Sequence, residues 1–115
     1  MSPLAPQLRT YLRLVAQTGK PVTYQTVARA LDLSPPNTIH QVAVVLEDLI
    51  AEDAAAARPL IATLVISKAR GGLPAPGFFI CAAQAGCFTG APEGPDAIAF
   101  YTAELDRAVT YWSTL

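Results

Sequence analysis

The strongest constraint on the fold lies in the first 57 residues, where three stretches with helical apolar spacing are separated by two short turns that contain proline. The first stretch predicts a helix over residues 4–17. Gly19 and the proline that follows end this helix, because glycine adopts the left-handed cap readily and proline cannot continue a helix. Thr23 is the expected N-cap of a short second helix over residues 24–31.

A longer third helix is predicted from Asn37 into the alanine run at residues 54–57, with Ser34 or Asn37 as its N-cap. Its spacing predicts a buried stripe made of Ile39, Val42, Leu46, Leu49 and Ile50. The adjacent acids Glu47–Asp48 and Glu52–Asp53 diverge by about 100° on a helix. They are therefore assigned to a solvated face and not to a shared metal or glycosidase site.

After the third helix the sequence changes to short β-branched and aromatic runs. Residues 60–67 and Phe78–Cys81 each have the length of a strand, and residues 68–77 between them hold three glycines and two prolines. This pattern predicts a hairpin with a long basic tip. A last helix is expected from residue 95 to about Trp112. Its apolar residues are spaced by three and four and form a stripe of Ile98, Tyr101, Leu105, Ala108 and Trp112.

The element order favours an α+β fold of the winged-helix type, with a three-helix core, a hairpin wing and an added C-terminal helix. At 12.1 kDa and 52% hydrophobic residues, the chain has the size and composition of one domain with a single core. Within a single domain over residues 1–115, we assign the core to 1–57, the wing to 58–82, and a loop with the last helix to 83–115. This scaffold also serves protein interaction, so the order alone does not establish DNA binding.

The segments Val22-Thr23-Tyr24, Ala28, Leu31 and Gln41–Leu46 resemble the helix-turn-helix portion of the alkylguanine DNA alkyltransferases and alkyltransferase-like proteins, over about residues 20–66. The resemblance implies that Tyr24 lies near the DNA backbone, and that His40 stands where the family has the arginine that replaces the flipped base. The family's Pro-Cys-His-Arg segment falls on Pro59–Ala62, which lacks the nucleophile, its partner base and the arginine. Alkyl transfer is therefore not expected. The pattern from Pro59 to Phe79 also resembles that of uncharacterised bacterial proteins.

Charge is distributed in blocks along the chain although the net charge is only -1. Residues 1–31 carry four bases and no acid, and residues 32–57 carry five acids and no base. Residues 58–71 carry three bases and no acid, and residues 72–115 carry four acids and one base. This distribution predicts a basic side and an acidic side, which suits either DNA or a protein partner.

Catalytic chemistry is not expected from this sequence. His40 is the single histidine and has no cysteine or aspartate at helical spacing, so no nucleophile is paired with a base. Cys81 and Cys87, separated by five residues, are too few for a zinc site, and we expect no metal and no cofactor. We therefore predict a protein that is not an enzyme.

The compartment is predicted from what the sequence does not contain. There is no basic start followed by an apolar run and a cleavage site, and no stretch of 18 apolar residues. We therefore expect a cytoplasmic protein that does not enter a membrane. In that compartment Cys81 and Cys87 are expected as reduced, buried or half-buried thiols, with a regulatory disulfide as the alternative.

Double-stranded DNA is the leading partner, read mostly through the backbone or through shape, because the third helix lacks the Arg or Lys that usually reads guanine. The predicted DNA contacts are Tyr24, Thr38, His40 and Gln41 from the helix-turn-helix, with Lys68 and Arg70 from the wing. The alternative is a module for protein interaction or homodimerisation. The last helix is expected to pack back on the first helix, or else to pair with a second copy of itself.

Overall fold

A computed structural model describes residues 4–114 of the chain. The elements in chain order are α1 (Ala5–Thr18), β1 (Val22–Thr23), α2 (Tyr24–Ala30), α3 (Thr38–Ala55), a first 3-10 helix (Ile61–Leu64), β2 (Val65–Ile66), a second 3-10 helix (Lys68–Arg70), α4 (Pro76–Gln84) and α5 (Pro95–Trp112). The mixture of helices with a small sheet agrees with the predicted α+β class. Over this range, every helix is too short or too polar to cross a membrane.

The first three helices lie where the apolar spacing predicted them. Gly19 follows α1 with φ at 73°, in the left-handed conformation that the sequence required there. Thr23 caps α2, since its hydroxyl oxygen accepts a hydrogen bond from the amide of Thr26 at 3.2 Å. Asn37 stands at the N-cap of α3, but its side chain makes no capping hydrogen bond.

The predicted hairpin over residues 58–82 is wrong. Only Val65–Ile66 of the first run is a strand, and it pairs in parallel with β1 and not with the second run. Phe78–Cys81 lies inside α4, where Phe78, Phe79 and Ala82 point into the core. All residues from Leu60 to Val65 in the first run are buried. A short run that is apolar at almost every position shows neither the alternation of a strand nor the spacing of a helix, so the sequence pattern could not distinguish the two.

The last helix completes the core of the same chain. Helix α5 packs against α1 and the first 3-10 helix, as the sequence favoured. Its buried residues include Tyr101, Ala108 and Trp112 from the predicted stripe. Ile98, which the spacing also placed on that stripe, is 52% exposed.

The predicted stripe of α3 is confirmed at Val42, Leu46, Leu49 and Ile50, and the same buried face also holds a carboxylate. Asp53, expected on a solvated face, is 0% exposed, while Ile39 lies at the surface and Val45 is buried. The carboxylate of Asp53 accepts hydrogen bonds from Arg9 at 2.8 Å and from the amide of Ile61 at 3.1 Å. A buried charge needs such partners, which neutralise it and satisfy its oxygens.

The segment that leads into β2 is held by three further side-chain contacts. Arg58 donates to Asp53 through Nε at 3.1 Å and through Nη2 at 2.9 Å. Glu104 on α5 accepts from the amide of Leu60 at 2.8 Å, and Trp112 Nε1 donates to the carbonyl of Pro59 at 2.9 Å. Asp53 on α3 and two side chains on α5 therefore position residues 59–61, which belong to the segment Pro59–Ala62 where the alkyltransferase resemblance placed the missing catalytic residues.

The buried hydroxyl of Tyr101 on α5 makes the stability of the protein depend on pH in the alkaline range. Its hydroxyl has no hydrogen-bond partner among residues 4–114, and burial, with a smaller contribution from Tyr24, raises its pKa to about 12. The ordinary value is 10.0. Above pH 10 the unfolded chain releases this proton while the folded chain retains it, so stability is complete below pH 10 and falls as the pH rises toward 12.

We expect Tyr101→Phe to remove this alkaline loss, which is of order 1–2 kcal/mol. At pH 7 the variant should be as stable as the wild type or more stable by about 1 kcal/mol, because the deleted hydroxyl has no partner. Urea unfolding at pH 7 and at pH 11 measures both effects. Equal alkaline losses in the two proteins would show that Tyr101 does not titrate in this way.

Candidate nucleic-acid interface

The parallel pairing of β1 and β2 sets the geometry of the candidate site. Thr23 pairs with Ile66, so the two strands end side by side. Helix α2 starts directly after β1, and Lys68 follows β2 by two residues. Lys68 therefore lies beside the start of α2, on a 3-10 turn and not at the tip of a hairpin.

An open cleft of about 440 Å³ lies between α2 and this turn. We call it the first cleft, and its lining residues are Thr23, Gln25, Thr26, Arg29 and Lys68. All five side chains carry hydrogen-bond donors, and none is acidic. The lining is therefore suited to an anion with several acceptor oxygens, such as a phosphate.

A second cleft of about 320 Å³ continues this surface toward α3. It shares Gln25 and Arg29 with the first cleft, and it also includes Thr38, the first residue of α3, and Asp32. The first turn of α3 contains no acidic residue and no side-chain cap, so its amide groups remain open to an anion. Asp32 is the one acidic group in either lining and limits the positive charge on this side.

The two cations of the first cleft are free to bind a ligand. Within residues 4–114 neither Arg29 nor Lys68 forms an ion pair, and both are exposed. Arg9, in contrast, pairs with Glu52 at 3.1 Å and with Asp53 at 2.8 Å. Two cations without an ion pair within residues 4–114 thus line one cleft, while Arg9 of the N-terminal basic block is used inside the fold.

Tyr24 does not lie on this surface, contrary to the sequence prediction. It is 5% exposed, and its phenol oxygen accepts a hydrogen bond from the amide of Ala75 at 3.0 Å. Burial raises the pKa of Tyr24, and the hydrogen bond from Ala75 opposes that rise. The side chain fixes the loop before α4 and is out of reach of a DNA backbone.

Gln41 and Arg70, also predicted as DNA contacts, donate to backbone carbonyls of this chain. The amide nitrogen of Gln41 donates to the carbonyls of Ser34 at 3.0 Å and Pro36 at 2.9 Å, so it holds the turn between α2 and α3. Arg70 is half-buried and donates to the carbonyl of Pro92 at 2.8 Å. Both donors of the Gln41 amide are therefore engaged within the chain, and Arg70 is held against the loop at Pro92 through one guanidinium nitrogen.

Of the six predicted contacts, Thr38 and Lys68 line the clefts, and His40 is exposed on α3 outside both linings. Sequence reasoning missed Gln25, Thr26 and Arg29 as site residues. Gln25 and Arg29 are four residues apart on a helix, so they share one face of α2. That spacing, together with the absence of acidic residues before residue 32, could have indicated these residues from the sequence.

The two cysteines lie outside both clefts along α2. Both are free thiols, Cys81 half-buried and Cys87 exposed. Burial raises the pKa of each thiol, and the nearby Glu47 adds to the rise at Cys81. Within residues 4–114, no three side chains of His, Cys, Asp or Glu are grouped so that they could hold a metal ion.

Comparisons with protein-family models, with curated proteins and with solved structures found no match to this chain. The function proposed below therefore rests on the two clefts and on the side chains that line them.

Proposed function

We propose that this chain is a non-enzymatic, helix-turn-helix module that binds duplex DNA through the phosphate backbone. The face used is the pair of clefts along α2, with the start of α3 at one end and the Lys68 turn at the other. In this proposal the 3-10 turn takes the place of the wing of a winged helix. The resemblance to the DNA-binding portion of the alkyltransferases supports the same class of partner, and such a partner suits the cytoplasmic location expected from the sequence.

The observation that carries this proposal is the convergence of Arg29 and Lys68 on the first cleft. Both cations lack an ion-pair partner within residues 4–114 and are surrounded by hydroxyl and amide donors. Cations and neutral donors along one groove are the groups that contact phosphates in protein–DNA complexes. Such contacts position a duplex and give affinity that depends strongly on salt.

Several features favour backbone contacts over base reading. The amide nitrogen of Gln41 is bound to two carbonyls of the turn. Farther along α3, Glu47 is exposed and would repel a phosphate that approached the middle of the helix. Thr38 and His40 are the other polar side chains of the first turn of α3. A duplex would therefore meet the start of α3 and not its whole length.

We expect Arg29→Gln with Lys68→Gln to weaken binding to a random-sequence duplex by at least about tenfold near physiological salt. Each cation contributes one phosphate contact, so the slope of log K against log salt should fall by about 2 in magnitude. Fluorescence anisotropy of a labelled duplex, titrated at several salt concentrations, measures both quantities.

The matched control is Arg13→Gln with Lys20→Gln, which removes the same charge from two exposed positions outside both cleft linings. The proposal predicts a smaller loss of affinity for this control. Equal losses in the two variants would mean that net charge, and not the clefts, governs binding. If the wild type does not bind the duplex even at low salt, the DNA proposal fails.

The alternative function, a protein interaction module, has one observation in its favour. Val44, 44% exposed, and Ile39 lie at the surface of α3. The stripe on the last helix, which the interaction hypothesis offered as an interface, is buried within the chain at Tyr101, Ala108 and Trp112. Light scattering at several protein concentrations tests this alternative: a dimer that dissociates in Val44→Glu would favour it over DNA binding.

A further inference from the structure

We propose that a separate cleft, between the end of α3 and α5, binds a small organic anion with a flat apolar body, such as an aromatic carboxylate. We call it the arginine cleft, and its lining residues are Ala54, Ala57, Arg58, Cys87, Phe100, Ala103, Glu104 and Arg107. Its volume of about 450 Å³ lies in the range of small-molecule sites. None of these residues lines either cleft along α2, so the inference does not depend on the proposed function.

The lining of the arginine cleft is largely apolar. Three alanine methyl groups and the ring of Phe100 contribute the apolar surface. Phe100 is held by other aromatic rings, with centroids 4.8 Å away at Phe88 and 6.2 Å away at Phe78. Small side chains beside a fixed ring leave room for a planar group, and the contact would remove apolar surface from water.

The rim carries two guanidinium groups that retain unused donors. Arg58 binds Asp53 through Nε and Nη2, and no hydrogen bond joins its Nη1 to residues 4–114. Arg58 also lies over the ring of Trp112, at 5.4 Å from the centroid, which restricts its orientation. Arg107 donates to Glu104 through Nη1, and its side chain is 60% exposed. Guanidinium groups held in this way bind carboxylates with little further loss of side-chain freedom.

The acidic group in the lining pairs with one of the two arginines. Glu104 is 5% exposed, and its oxygens accept from the amide of Leu60 and from Arg107. Burial raises the pKa of the Cys87 thiol, so this group stays neutral near pH 7. Arg58 is also paired with Asp53 outside the lining, so the two arginines and two carboxylates balance, and a ligand carboxylate would be bound through the free N–H donors of Arg58 and Arg107.

The test is an NMR titration of the full chain with 2-naphthoate. We expect saturable shifts at the amides of Ala54, Ala57 and Ala103, with half-saturation at about 1 mM or below, as suits a small ligand. Arg107→Gln should weaken binding about tenfold, because it deletes a charged hydrogen bond at an exposed side chain. The neutral 2-naphthylmethanol should bind the wild type about tenfold more weakly for the same reason.

Ala103→Leu places a larger side chain in the arginine cleft and should also reduce the affinity for 2-naphthoate. Arg13→Gln on α1 is the control and should leave the affinity unchanged. Because Arg107 is largely exposed, its variant is expected to fold whether or not Ala103→Leu does. Shifts scattered over the whole surface, no shifts at about 5 mM probe, or equal affinities of the wild type and Arg107→Gln would each overturn the proposal.

Discussion

Asp53→Ala is expected to lower the free energy of unfolding by about 3–5 kcal/mol, a large part of the total stability of a domain of this size. The carboxylate is completely buried and accepts from Arg9, Arg58 and the amide of Ile61. Removing it leaves two partly buried guanidinium groups and one buried amide without their acceptor. Breaking a buried ion pair in this way costs far more than the pair itself contributes.

Urea unfolding at pH 7 measures this loss, and Glu52→Ala provides the matched control. Glu52 precedes Asp53 on α3 and pairs with the same Arg9, but its side chain is partly exposed. An exposed pair of this kind contributes about 0–1 kcal/mol. If the two variants lost similar stability, Asp53 would have no special role in the fold.

The contacts of Asp53 also connect the interior to the candidate interface. They fix the segment before β2, whose pairing with β1 sets Lys68 beside α2. Loosening this segment would move Lys68 relative to Arg29. We therefore attribute the geometry of the first cleft in part to a carboxylate that the cleft does not contain.

The elements predicted correctly from the sequence are those in which the apolar spacing continues over many residues or a capping residue marks the start. Helices α1, α3 and α5 repeat an apolar stripe over 14 or 18 residues, and Thr23 marks the start of α2. The structures of residues 60–67 and 78–81 were predicted wrongly because each run is too short to show a periodic pattern. Their structure depends on contacts with distant parts of the chain, since β2 pairs with Val22–Thr23, more than 40 residues earlier.

Polar side chains were misassigned for a related reason. Tyr24 is satisfied by an amide 51 residues later in the chain, which no local pattern reveals. The acidic and basic blocks were expected on opposite sides of the surface, yet Asp53 from the acidic block pairs internally with Arg9 and Arg58. Part of the opposite charge in these blocks therefore forms ion pairs inside the fold, where it is not available to a partner.

The second large effect is expected at Trp112, where Trp112→Ala should cost about 3–5 kcal/mol. The ring is buried at the end of α5, and the Arg9 and Arg58 guanidinium groups lie 5.1 and 5.4 Å from its centroid. Trp112→Phe retains most of the packing and loses the hydrogen bond to Pro59, so about 1 kcal/mol is expected. Tyr111→Ala, at an exposed neighbour, should cost less than either.

Asp53 and Trp112 both contact Arg9 and Arg58, so the effects of their removal should not add. Once Trp112 is removed, Arg9 and Arg58 gain freedom to turn toward water, and the later loss of Asp53 leaves less buried charge without a partner. The double variant is therefore expected to be more stable than the sum of the single losses predicts, by about 1 kcal/mol or more. Denaturant unfolding of the four proteins in this cycle measures the coupling, and strict additivity would show that the ring and the carboxylate act independently.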